Sequence, residues 1–195
     1  MRFHYLLAML TPITLSLLLS ACATVTAPGY TSKYELLDSM RLKNVALEKI
    51  GVNEVQPTDP KAKVNKITLR GSHLVSPYGT YSKYIENALK ADLAELRILD
   101  QNSTNRIEAE IIRNDIDISG INKGNGVLEV KLKVFKDSKS SFEKIYLAET
   151  SFESYFSGAQ ALPAGQSEYS RLVQELTTKI FSDKDFLASI SRGIK

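Results

Sequence analysis

Cysteine is nearly absent from this chain: Cys22 is the only one in 195 residues. A single cysteine forms no internal disulfide, so the fold must rest on its hydrophobic core. Histidine is almost as scarce, with His4 and His73 alone. A zinc site therefore has no donor set to draw on. Dominance of one charge is missing too. Lys plus Arg number 25 against 22 for Asp plus Glu, a formal net charge of +3 spread along the chain. Nucleic-acid binding needs a clustered basic stripe, so no nucleic-acid partner is expected. The apolar run Leu6 to Leu19 has 14 residues. A transmembrane helix needs ~20, and Pro12 interrupts this one. What remains is 43% hydrophobic and 24% charged, the composition of one globular domain with appendages.

The first residues read as a targeting segment. Arg2 is a positive start, Leu6 to Leu19 an apolar middle, and Ser20 and Ala21 a small-residue end. The stretch "LSAC", Leu19 to Cys22, resembles a bacterial lipobox. In that family the Cys22 thiol takes a diacylglyceryl group, and small residues before it admit the signal peptidase. Cleavage then leaves Cys22 as the new N-terminus, open to a further acyl chain. Two or three chains anchor stably, because each buried methylene contributes ~0.8 kcal/mol. A plain secreted protein would instead carry an exposed reactive thiol in an oxidising compartment. Ala23 and Thr24 follow the cysteine. In enteric bacteria an Asp in place of Ala23 tends to retain lipoproteins at the inner membrane. By that resemblance its absence implies outer-membrane sorting. The expected organisation is a signal peptide at 1–21, a lipidated N-terminus and flexible tether at 22–32, and a periplasmic domain at 33–195. The tether, "ATVTAPGYTS" after Cys22, is small and polar. Ten such residues reach at most ~35 Å.

Along the mature chain, Lys33 to Lys43 predicts a short helix with Tyr34, Leu37 and Met40 on one face. Val45 to Val55 predicts a strand, "QPTDPKAK" a loop, and Ile67 and Leu69 a short strand ending at Gly71. Tyr81, Tyr84, Ile85, Ala88, Leu89, Leu93 and Leu96 mark one face of an amphipathic helix, capped by Thr80 or Ser82. In "RIEAEIIRNDIDI" the apolar phase switches from Ile107, Ala109 and Ile111 to Ile112, Ile116 and Ile118, which predicts a bulge. "GINKGNG" reads as a hairpin loop. Leu128, Val130, Leu132 and Val134 alternate with Glu129, Lys131 and Lys133. In 142–156, Tyr146, Ala148, Phe152 and Phe156 share one phase, Ile145 and Leu147 the other. "SGAQALPAGQ" reads as a loop. Ser167 to Phe181 predicts a helix, and Phe186, Leu187 and Ile190 a further turn. The order is β-β-α-β-β-β-α: a single α+β domain, with a mostly antiparallel sheet of about five strands and two helices on one face.

No constellation of acid, base and nucleophile emerges, so no catalytic residue is expected. Ser72 and His73 are adjacent on a strand and point to opposite faces, which denies Ser72 its base. "NDID" and "SDKD" lack the ligand count and glycine of a calcium loop, and "SDKD" reads better as a helix N-cap. "GNG" precedes a strand, where a phosphate cradle needs a helix. Tyr78, Tyr81 and Tyr84 suit core packing with wet hydroxyls better than a ligand surface. No metal or cofactor is expected. The one chemically marked residue is Cys22, as a lipidation site.

The stretches "ITLRGSHLVSPYG", "SKYIENALKADLAEL", "AEIIRNDIDI" and "LVQELTTKIFSDKDF" resemble small Gram-negative envelope lipoproteins. The auxiliary lipoproteins of ABC-type lipid transporters share that plan, as do, more distantly, lipoproteins resembling the TolB N-terminal domain. The resemblance covers about residues 45 to 190. It implies a non-enzymatic accessory of an envelope complex, held at the outer membrane through acyl chains on Cys22, with an envelope protein as partner. An exposed apolar patch or open sheet edge would serve that role. The alternative is a lipid- or glycan-binding module with a pocket between sheet and helices.

Overall fold

Along the chain the elements are β1 (Thr24–Thr26), α1 (Tyr34–Leu42), β2 (Gly51–Val52), β3 (Ile67–Leu69), β4 (Ser72–Val75), α2 (Tyr81–Glu95), β5 (Arg106–Asp117), β6 (Lys123–Lys136), β7 (Lys139–Glu153), α3 (Gly158–Ser182) and α4 (Lys184–Ser189). The computed structural model describes residues 24–42 and 46–192. The expected signal peptide and Cys22 lie outside the described residues, as do Lys43 and Val45 of the expected helix and strand.

Strict alternation builds the centre. Leu128, Val130, Leu132 and Val134 on β6 are fully buried, and their neighbours lie half-buried on the opposite face. β6 pairs antiparallel with β5 on one side and β7 on the other. The sheet order is β2-β5-β6-β7, with β2 parallel to β5. A bulge falls between Ile111 and Arg113, where the phase switch predicts it. Beyond it Asn114, Ile116 and Ile118 are buried. Ile112 departs from expectation: it sits in the bulge itself and is 43% exposed.

Helical periodicity supplies the other layer. α3 lies across the three long strands and packs against α2, burying Leu172, Val173, Leu176 and Ile180. α2 buries Tyr81, Tyr84, Ile85, Ala88, Leu89 and Leu93. Thr80 caps it, its hydroxyl accepting from the Lys83 amide at 3.1 Å. Each large side chain so buried contributes about 1.5–3 kcal/mol. In α1, Leu37 and Met40 are buried but Tyr34 is exposed.

The α+β class stands, with corrections. Among the described residues there are seven strands in two sheets, the second ordered β1-β4-β3, and four α-helices. The extra strands have two to four residues, too few to show a period. The expected strand at 45–55 is reduced to β2 and isolated bridges. "GINKGNG" is a loop only up to Asn122, because Gly124 and Gly126 lie within β6. The Phe152 ring covers Gly124 so closely that a Cβ there would meet it at 2.5 Å. "SGAQALPAGQ" is the start of α3, with Pro163 inside the helix. Its small residues permit close approach: a Cβ on Gly165 would stand 2.6 Å from Ile118 Cγ2.

The largest correction concerns the tether. From Thr24 onward it is part of the fold. β1 pairs parallel with β4, Thr24 opposite His73. Ala27 and Ser32 are buried. Side chains of α2 and α3 then fasten the segment. Tyr84 donates to the Pro28 carbonyl at 2.8 Å, Gln166 to Thr26 at 2.6 Å and Gln174 to Thr31 at 2.8 Å. The Tyr30 hydroxyl donates to Asp92 Oδ2 at 2.7 Å and lies 2.9 Å from Thr177 Oγ1. These contacts turn a flexible-looking stretch into a strap.

Candidate functional site

Two regions concentrate polar and aromatic contacts: the strap and the outer face of the long sheet. The strap is held by a cluster of tyrosines. The Tyr169 ring stands 4.5 Å from Tyr81 and 4.9 Å from Tyr84, and Tyr78 packs edge-on against Tyr84 at 5.3 Å. Tyr81 donates to the Leu74 carbonyl at 2.7 Å. The Tyr78 oxygen accepts from the Tyr30 amide at 3.2 Å. The expected core role of Tyr81 and Tyr84 is present, and Tyr78 adds a contact to the strap. Asp92 is buried beneath Tyr30. Burial pushes its carboxyl above the ordinary carboxylate range, against the hydroxyls of Ser32, Tyr30 and Thr177, which favour the charged form.

The strap shortens the reach of the expected anchor. Only Ala23 separates Cys22 from Thr24, two Cα steps of ~3.8 Å each. The body therefore begins within ~8 Å of Cys22, where a free tether would have allowed several times that distance.

On the sheet's outer face, charged residues form cross-strand ladders. Glu108, Lys133 and Glu143 share one row, with Lys133 Nζ 3.1 Å from Glu143 Oε2. Glu110, Lys131 and Ile145 share the next, where Lys131 pairs with Glu110. The segment after β2 borders these rows. Gln56 donates its amide to the Ala109 carbonyl at 2.9 Å, and its own carbonyl accepts from Ile111 at 2.8 Å. Between that segment and the sheet lies a groove of about 740 Å³ of mixed polar and apolar lining, bordered by Gln56, Pro57, Ala109, Glu110, Lys131 and Lys133 among others.

Among the described residues β7 is the sheet's last strand, with no strand on its far side. Tyr146 and Ala148 point inward, while Ile145 and Leu147 are 52% and 43% exposed. Charged side chains cover part of the edge: Lys179 donates to the Leu147 carbonyl at 2.8 Å, and Arg171 to Ser151 at 2.9 Å. Such charges are a usual guard against indiscriminate strand pairing. Where β7 meets α4, Asp183 accepts from Lys144 and Tyr146, each at 2.7 Å, and from the Asp185 amide at 2.9 Å. Burial works against its charge, but these donors outweigh it and hold the carboxyl at about 2. "SDKD" is thus the N-cap that the sequence predicts.

His73 is exposed and Ser72 buried, on opposite faces of β4. Among the described residues no three His, Cys, Asp or Glu side chains converge on a metal position, and no helix is long and apolar enough to cross a membrane. Sequence reasoning separated Ile145 and Leu147 in phase from Tyr146 and Ala148, but had no means to show which phase faces outward or that β7 is an edge. It missed the strap, whose only local signals are the β-branched "TVT" and the lone aromatic Tyr30.

No family model and no curated relative matches this chain. Similar solved structures exist. One is a Xanthomonas campestris protein of family DUF330, at 10% identity and a TM-score of 0.53, over 82% of this chain and 95% of that one. Others are a minor lipoprotein from Acinetobacter baumannii, at 13% identity and a TM-score of 0.42, over 72% and 92% of the two chains, and a candidate lipoprotein from Caulobacter crescentus, at 16% and 0.42, over 55% and 83%. At such identities the likeness is one of fold: this chain shares its α+β architecture with the DUF330 protein.

Proposed function

We propose that this chain is an outer-membrane lipoprotein, anchored on the periplasmic face through acyl chains on Cys22. It acts as a non-catalytic accessory that docks an envelope protein. The observation that carries the docking role is β7, a 15-residue edge strand with Ile145 and Leu147 exposed beside a partly open edge. An exposed strand edge offers backbone hydrogen bonds, and flanking apolar side chains add selectivity. Lys179 and Arg171 limit the pairing to a partner that displaces or accommodates them. The alternative, a lipid or glycan pocket between sheet and helices, finds that layer occupied by Leu128, Val130, Leu132, Leu172 and Leu176, all fully buried.

The experiment is photo-crosslinking in living cells from a reactive residue at Ile145 or Leu147, with one at Asp137 as control. One envelope protein captured from 145 and 147 and not from 137 supports the reading. Capture of nothing, or the same products from all three positions, overturns it.

A further inference from the structure

The pole of the molecule where the strap begins carries the two most exposed large apolar side chains among the described residues, Phe156 at 83% and Ile121 at 62%. They sit on separate loops, one after β7 and one between β5 and β6. A single guanidinium pins both loops. Arg70 Nε donates to the Ile118 carbonyl at 3.0 Å, one terminal nitrogen to Phe156 at 2.8 Å, and the other to Tyr155 at 2.7 Å and Gly120 at 3.4 Å. The Ser154 amide adds a bond to the Asn122 carbonyl at 3.2 Å. The backbone is thus firmly tied beneath two side chains that meet no core.

Arg70 also fixes where this pole stands relative to the N-terminus. It occupies the two-residue turn between β3 and β4, with φ of 47° and Gly71 at 86°. β1 runs parallel to β4 and begins opposite His73, so the chain enters the fold at this turn. Cys22 is two residues further back. Acyl chains there would lie within ~8 Å of Thr24 and would turn the Phe156 and Ile121 pole towards the bilayer.

We propose that this pole is a lipid-contacting surface, with Phe156 and Ile121 seated in the acyl–headgroup boundary of the membrane that holds the anchor. The inference rests on the lipoprotein reading and deepens it. Apolar side chains at the boundary add to a lipid anchor, and a second contact fixes orientation as well as attachment. β7 then rises from the membrane, and Ile145 stands eight residues above Glu153, ~26 Å at strand rise. The docking edge is presented clear of the headgroups.

The chain contains no tryptophan, so one introduced indole reports alone. The full-length chain, purified from membranes, would carry Phe156→Trp, Ile121→Trp or, at the far end of β7, Lys139→Trp. Each is placed in phosphatidylethanolamine–phosphatidylglycerol vesicles with or without acyl-chain bromine. Emission from Phe156→Trp and Ile121→Trp should shift to the blue and fall with brominated lipid, and emission from Lys139→Trp should not. An indole at 156 that bromine does not quench, or one already shielded in lipid-free oligomers, overturns the proposal. Equal quenching at 139 overturns it too. Intact mass of the same samples reports acylation of Cys22 separately. Quenching at 156 without acylation supports the pole and refutes the anchor; acylation without quenching refutes the pole alone.

Discussion

Tyr30→Phe tests the strap directly. The substitution removes one oxygen and leaves the ring in place. The lost hydroxyl donates to Asp92 at 2.7 Å and lies 2.9 Å from Thr177. Hydrogen bonds to charged groups contribute about 1.5–3 kcal/mol, and a buried acceptor deprived of its donor keeps its desolvation cost. Asp92 is 2% exposed, so water does not easily replace the hydroxyl. A loss of about 2 kcal/mol follows, or roughly 4–8 °C in Tm for a domain of this size. Urea unfolding should show it as a lower midpoint with an unchanged slope. Limited proteolysis should cut within residues 24–32 sooner than in the parent. In an Asp92→Asn background the cost of Tyr30→Phe should shrink, since the two groups are in contact. The pH dependence has a definite sign. The folded Asp92 carboxyl holds its proton more tightly than the unfolded one. Its contribution to stability is fullest below the unfolded value of ~3.9 and is lost as pH rises through the folded value. A Tyr30→Phe variant within about 0.5 kcal/mol of the parent, the range of an ordinary surface change, would refute the strap.

Asp183→Ala should cost more than Asp183→Asn in thermal melts, because the amide oxygen can still cap α4 and a lost cap alone costs about 1 kcal/mol. The Asp183 carboxyl is held at about 2, below its unfolded value of ~3.9. Its stabilisation is present above the unfolded value and lost as pH falls through the folded one; the acid limb of stability should therefore flatten in Asp183→Asn. Gly165→Val should destabilise by about 1–3 kcal/mol through overpacking, because its Cβ would press on Ile118 at 2.6 Å. A melt unchanged from the parent would mean that α3 does not approach β5 as described.

What was legible in the sequence was periodic. β6 and α2 show clean periods of two and 3.6 because one face of each is buried along its whole length. The bulge was legible because a bulge shifts phase. The first turns of α3 were not, since Pro163 and Gly165 carry the local signal of a loop, and tertiary packing of Ala161 and Gly165 overrides it. β1 and β4 are too short for a period, and the strap is held by side chains from α2 and α3 far along the chain. The edge status of β7 depends on strand order, which alternation does not encode. Cys22 lies outside the described residues, so its expected role as a lipidation site rests on the lipobox resemblance.

The proposed anchor is tested most directly at Cys22. Cells given a fatty-acid probe should label the parent chain and yield a mature form beginning at residue 22. Cys22→Ala should carry no label and persist as the larger precursor. Equal labelling and equal size of the two chains would contradict the anchor, and with it the role of the strap in holding this domain at a membrane.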